Sequence, residues 1–153
     1  MDCPLFSMSP DPNKGIRIAL LNARSINEDR KQIGLMSHVQ DHHIDILGIS
    51  ETWRNTTETP EQFADNGYRW VGKHRPQNRG GGVGFLIHPK AASRVTKLKD
   101  ITSLAGEDLV FESSWIRVQL NPTDAVALGI FYRTPNGPGY AMPPDKYISE
   151  VRK

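Results

Sequence analysis

The chain has 153 residues, 37% hydrophobic and 24% charged, with 19 basic and 17 acidic side chains and a net charge of +2. That is most simply one soluble, globular domain able to bury its own core, and the charge is too even to argue for nucleic-acid binding by itself, though it does not oppose it. One cysteine, Cys3, excludes an internal disulfide and fits a reducing compartment, and no apolar run approaches the roughly 18 residues of a membrane span.

Residues 1–15 carry three prolines and little periodicity, so they form an irregular lead; residues 1–14 lack the apolar region of a signal peptide. Residues 16–21 are a first strand. Residues 28–41 form an amphipathic helix, with Ile33, Met36 and Val39 at three-residue spacing and Leu35 beside them. Residues 44–50 are nearly continuous in apolar side chains, the pattern of a strand buried on both faces. A polar stretch follows, with a short helix around residues 60–64; its Asn55-Thr56-Thr57 sequon has no secretory context and is chance. Residues 68–71 are a short strand. The run from Arg75 to Gly82 is dense in turn residues and leads into a strand at 83–87.

Residues 89–108 are ambiguous, with 93–98 a candidate strand. Residues 110–120 alternate, placing Ile116, Val118 and Leu120 on one face and Phe111, Ser113, Trp115 and Arg117 on the other, with Trp115 expected in the core. Residues 125–132 form another buried strand. Residues 134–144 hold four prolines and two glycines and make a loop, after which Asp145 caps a last helix over 146–153. Strand, helix, strand, then mainly antiparallel strands describe an α/β (α+β) fold with one mixed, mainly antiparallel sheet and flanking helices.

Two strand ends carry the chemistry. Asn22 ends the first strand and Glu51 the second, so neighbouring strands would place a carboxamide and a carboxylate at one sheet edge, half of a Mg²⁺-phosphate site. The structural alternative is a turn-forming asparagine and a loop glutamate. Gly80, Gly81 and Gly82 precede a strand and open no helix, so they match neither phosphate-binding glycine motif; a tight turn is the plainer role, and phosphate contact with Arg75 and Arg79 the other. Tyr132 ends the last buried strand, as a half-buried aromatic or a phosphate donor. The five histidines show no metal-ligand spacing, and His42-His43 suits a helix C-terminus. Trp53 is a candidate surface beside Glu51.

Four segments taken together resemble the endonuclease/exonuclease/phosphatase family: Leu21-Asn22-Ala23-Arg24-Ser25, Ile46-Leu47-Gly48-Ile49-Ser50-Glu51-Thr52-Trp53, Arg79-Gly80-Gly81-Gly82-Val83-Gly84-Phe85-Leu86-Ile87 and Ile130-Phe131-Tyr132-Arg133-Thr134-Pro135. Their wording and order look most like the endonucleases associated with reverse transcriptase in non-LTR retrotransposons, over about residues 16–150. The resemblance implies half of a four-layered α/β sandwich over residues 16–153 and an intracellular location, nuclear or cytoplasmic. It implies a hydrolase that cuts a DNA phosphodiester with Mg²⁺ (or Mn²⁺). In that likeness Glu51 is the metal ligand, Asn22 sits beside metal and scissile phosphate, and Tyr132 meets a phosphate oxygen. Arg24, Ser25, Trp53, Arg79 and Arg133 lie where DNA would be gripped.

The family continues with a strand ending in Asp-x-Asn and finishes on Ser-Asp-His; neither follows the last strand here. The expectation is therefore the N-terminal half of such a domain, inactive alone, or a non-catalytic binding or structural subunit derived from it. An open apolar sheet face is also expected, covered by a partner or a second copy, since burial is worth about 25 cal/mol per Å².

Overall fold

The computed structural model of the chain describes residues 15–74, 80–99 and 112–132. The N-terminal lead, the loop at 134–144 and the helix expected over 146–153 lie outside them. The described elements are β1 (Ile18–Asn22), α1 (Asp29–Asp41), β2 (Ile46–Ser50), α2 (Glu61–Ala64), β3 (Arg69–Lys73), β4 (Val83–Ile87), a 3₁₀ helix (Pro89–Arg94), β5 (Val95–Lys97), β6 (Glu112–Gln119) and β7 (Ala125–Tyr132).

The α+β class is the one the sequence indicated, but the strands divide between two sheets instead of sharing one. The first has the order β1-β2-β4-β3 and the second β5-β6-β7. β1 and β2 are parallel, with Ile18 opposite Ile46 and Asn22 opposite Ser50, and α1 makes the crossover that parallel neighbours require. All the other pairs are antiparallel. The 3₁₀ helix takes up the start of the ambiguous stretch, because Pro89 opens it and the His88 side chain accepts from the Lys90 amide. Within the described residues of that stretch, 89–99, Val95–Lys97 are the strand.

Each face of the first sheet buries a different partner. Leu47, Ile49, Trp70 and Leu86 pack under the helices with Met36, Val39 and Phe63. Ile46, Val71, Val83, Phe85 and Ile87 meet Ile116, Val118 and Ile130 of the second sheet. The alternation of β2 and β4, apolar on both sides, records this double burial. The sheet face expected to stand open is thus covered by the chain's own β5, β6 and β7. A Ser114 hydroxyl also donates across the gap to the Val71 carbonyl at 3.3 Å.

Two side chains stand elsewhere than expected. Ile33 is 55% exposed. Its place on the buried face of α1 goes to Gln32, whose amide donates to the Ile26 carbonyl at 2.9 Å and accepts from the Gln62 amide at 3.4 Å, tying α1 to α2. Trp115 belongs to neither core; it lies on the other face of β6 and meets Phe131 edge-on, ring centroids 5.1 Å apart.

Candidate functional site: the paired ends of β1 and β2

The parallel register fixes the site. Because Asn22 stands opposite Ser50, the next residue of the second strand, Glu51, turns back over the end of the first. The Asn22 Nδ2 donates to Glu51 Oε1 at 3.1 Å. Glu51 Oε2 makes no hydrogen bond among the described residues, and the side chain as a whole is half-buried.

The loops that leave these strands run on together. Ala23 N–H donates to the Ser50 carbonyl (3.0 Å), Ser25 N–H to Glu51 (2.8 Å) and Ile26 N–H to Thr52 (3.0 Å). On the other side, Thr52 N–H donates to the Gly82 carbonyl (3.2 Å) and Trp53 N–H to Gly81 (2.9 Å). The Asn27 side chain donates to the Trp53 carbonyl at 2.7 Å. The Glu51 loop is therefore held from both flanks.

That holding has a cost to meet. Arg24 (φ 44°), Ser25 (87°), Glu51 (53°) and Trp53 (55°) are four of the five left-handed non-glycine residues among those described. Each such residue costs about 1–3 kcal/mol and persists only where its surroundings over-determine it. Gly80, Gly81 and Gly82 are left-handed as well, which glycine adopts freely. Gly82 also needs its missing side chain, because a Cβ there would run into Thr52 Oγ1.

The residues singled out from the sequence distribute as follows. Asn22 and Glu51 are in contact. Arg24 is exposed, and its carbonyl accepts from Lys31 Nζ at 3.0 Å. Ser25 is buried and its hydroxyl accepts from the Asn27 amide at 3.3 Å, so it shapes the loop. Trp53 is half-buried against the glycine turn, its indole nitrogen 3.8 Å from where a Gly80 side chain would begin. Tyr132 is half-buried at the same end of the molecule but in the second sheet, directly across from Glu112. Arg79 and Arg133 lie outside the described residues.

Three participants were not found from the sequence: Asn27, Thr52 and Glu112. Thr52 is fully buried, and its hydroxyl has no hydrogen-bond partner among the described residues. Glu112, 7% exposed, accepts the Gly82 N–H at 2.5 Å. Its signal was present, since carrying the Ile116 and Val118 alternation backwards puts Ser114 and Glu112 on the inward face.

Among the described residues no three His, Cys, Asp or Glu side chains gather as a ready metal cluster. One carboxylate oxygen beside an amide still suits Mg²⁺, which keeps most of its waters and commonly takes only one or two carboxylates from the protein. No helix among the described residues is long and apolar enough to cross a membrane. Comparisons with protein-family models, curated proteins and solved structures return no match to this chain.

Proposed function

We propose that the paired ends of β1 and β2 form the metal-binding half of a Mg²⁺-dependent DNA phosphodiesterase site, of the retrotransposon endonuclease type that the four sequence segments resemble. The observation that carries this reading is the Asn22 Nδ2 to Glu51 Oε1 contact of 3.1 Å, with the second Glu51 oxygen left open. A divalent cation bound at Glu51 would polarise a phosphoryl oxygen and offset the charge that develops on it. Asn22 holds the carboxylate in one rotamer and presents its amide beside the phosphate. Tyr132, at the same end, is the candidate donor to a second phosphate oxygen. The sole cysteine suits an intracellular setting, nuclear or cytoplasmic.

Among the described residues no identified group abstracts a proton from water or protonates the leaving oxygen, and such groups each supply ~10²–10⁴-fold. The chain alone is therefore expected to bind Mn²⁺ weakly and to leave supercoiled plasmid intact. Mn²⁺ paramagnetic resonance on the wild type and on Glu51→Ala tests the metal site; equal binding by both sinks it. Nicking by the wild type that vanishes in Glu51→Ala would keep the metal site and refute the inactivity.

One observation favours the second reading, a non-catalytic binding or structural subunit. β1 is an edge strand whose Leu20 is 74% exposed and whose Ile18 is 42% exposed, an apolar edge suited to a protein partner. A chain that binds neither Mn²⁺ nor DNA yet pairs through this edge would decide for that reading.

A further inference from the structure

We infer that Glu112 is a positioning residue for the Glu51 site, acting across the two sheets through the backbone of the glycine turn. The inference rests on the metal-site reading above and adds a residue to it. Glu112 is the first residue of β6, in the second sheet, and points into the space between the sheets. An inward carboxylate at a strand end is expensive to bury unless something compensates it. Here its Oε2 accepts the Gly82 N–H at 2.5 Å, a charge-assisted bond to the backbone of the other sheet.

From Gly82 the restraint passes to the site in one step. The Gly82 carbonyl accepts the Thr52 N–H at 3.2 Å, and the adjoining Gly81 carbonyl accepts the Trp53 N–H at 2.9 Å. These are the two residues that follow Glu51. They fix the path of a loop in which Glu51 and Trp53 both hold left-handed backbone angles. The other flank, from the end of β1, supplies the bonds of Ser25 N–H to the Glu51 carbonyl, of Ile26 N–H to Thr52 and of the Asn27 side chain to the Trp53 carbonyl, so the loop is clamped between the two. Without Glu112, the glycine turn has backbone that favours no single conformation, and the loop loses the fixed side of its clamp. Glu112 also stands opposite Tyr132 in the β6–β7 ladder. One carboxylate thus sets the second sheet, which carries Tyr132, against the loop that carries Glu51.

The test compares Glu112→Ala and Glu112→Gln with the wild type and Glu51→Ala. Glutamine keeps an acceptor oxygen for the Gly82 N–H and drops the charge; alanine removes the acceptor. Glu112→Ala is expected to speed amide exchange at Gly82, Thr52 and Trp53 and to lower Mn²⁺ affinity by about 10–100-fold, the usual effect of losing an outer support of a metal ligand. Glu112→Gln is expected to restore most of both. If Glu51→Ala has lost Mn²⁺ and Glu112→Ala has not, the positioning role is wrong while the metal site stands. If Glu51→Ala still binds Mn²⁺, the metal-site reading fails and this inference falls with it. Should Glu112→Ala fail to fold, Glu112→Asp, which draws the carboxylate back from the Gly82 N–H, decides instead: faster exchange at Thr52 and Trp53 with weaker Mn²⁺ binding supports the role, and wild-type exchange and affinity overturn it.

Discussion

His43 shows how much a single backbone angle can settle. Ile44 N–H donates to the Val39 carbonyl (2.9 Å) and His43 N–H to Gln40 (3.1 Å), the paired bonds of a Schellman end to α1, with His43 at φ 51° in the position that favours glycine. The helix-end charge that explains His42-His43 from sequence is thus a smaller matter than the left-handed turn. His43→Gly should raise stability by up to about 1 kcal/mol, since relief of the left-handed cost exceeds the added chain entropy. A denaturant midpoint equal to or below that of the wild type would count against it. His88 is the residue with a pH consequence. Burial holds its imidazole below the ordinary 6.5, the Lys90 charge acts the same way, and Asp45 opposes them. Its Nδ1 accepts the Lys90 N–H at 3.1 Å, a bond available only to the neutral ring. The unfolded chain therefore binds the proton more readily than the folded one between the depressed value and 6.5. Stability is full above about pH 6.5 and falls as the pH drops below it. Urea midpoints on either side of that pH should show the fall in the wild type and a shallower one in His88→Asn, which keeps an acceptor and does not titrate. Equal slopes would remove His88 as the cause.

At the scale of elements, the strands of the first sheet fit each other through glycines opposite large side chains. Gly72 and Gly84 face one another across β3 and β4, and the Trp70 indole lies over both. A Cβ on Gly84 would sit 2.5 Å from the Trp70 ring, 2.6 Å from the Gly72 backbone and 2.7 Å from the Val71 carbonyl oxygen. Two of those neighbours are backbone and cannot step aside. Gly84→Ala should therefore destabilise by about 1–3 kcal/mol, the overpacking range, against a gain of at most about 1 kcal/mol from stiffening the strand. Thermal melting decides the sign, and an unchanged or raised midpoint would mean that Trp70 and β3 yield more easily than their burial indicates.

For the whole molecule the decisive feature is that the second sheet covers β2, β3 and β4 but leaves β1 overhanging. Leu20 lies across Gly48, toward Ile130, yet stays 74% exposed, and Leu21 is 37% exposed. Among the described residues the exposed large apolar side chains are thus a ledge on this edge strand together with Ile33, Leu120 and Phe131, and not the full sheet face expected from the sequence. Leu20→Lys should lower concentration-dependent light scattering and leave the melting temperature within about 1–2 °C, because surface substitutions usually change stability by less than ~0.5 kcal/mol. Scattering as strong as in the wild type would place any association elsewhere.

The local signals of the sequence located β1, α1, β2, β4, β6 and β7 within a few residues, because apolar periodicity and turn residues are properties of neighbours along the chain. They also brought Asn22 and Glu51 forward, since a polar residue closing an apolar strand is visible without any partner. Membership of two sheets was not visible. Sheet pairing is made by backbone groups that every residue carries alike, so β2 and β4, apolar on both faces, announce double burial without naming what lies on either side. Ile33 misled for a related reason: its spacing fitted the buried stripe, but the contacts available to Gln32 at the Ile26 carbonyl and the Gln62 amide exist only once α2 is in place. The left-handed angles of Arg24, Glu51 and Trp53 have no local cause at all, because none of these side chains favours that region. They follow from bonds to a neighbouring strand end and to a glycine turn 30 residues away from Glu112 in sequence, and tertiary structure alone could decide them.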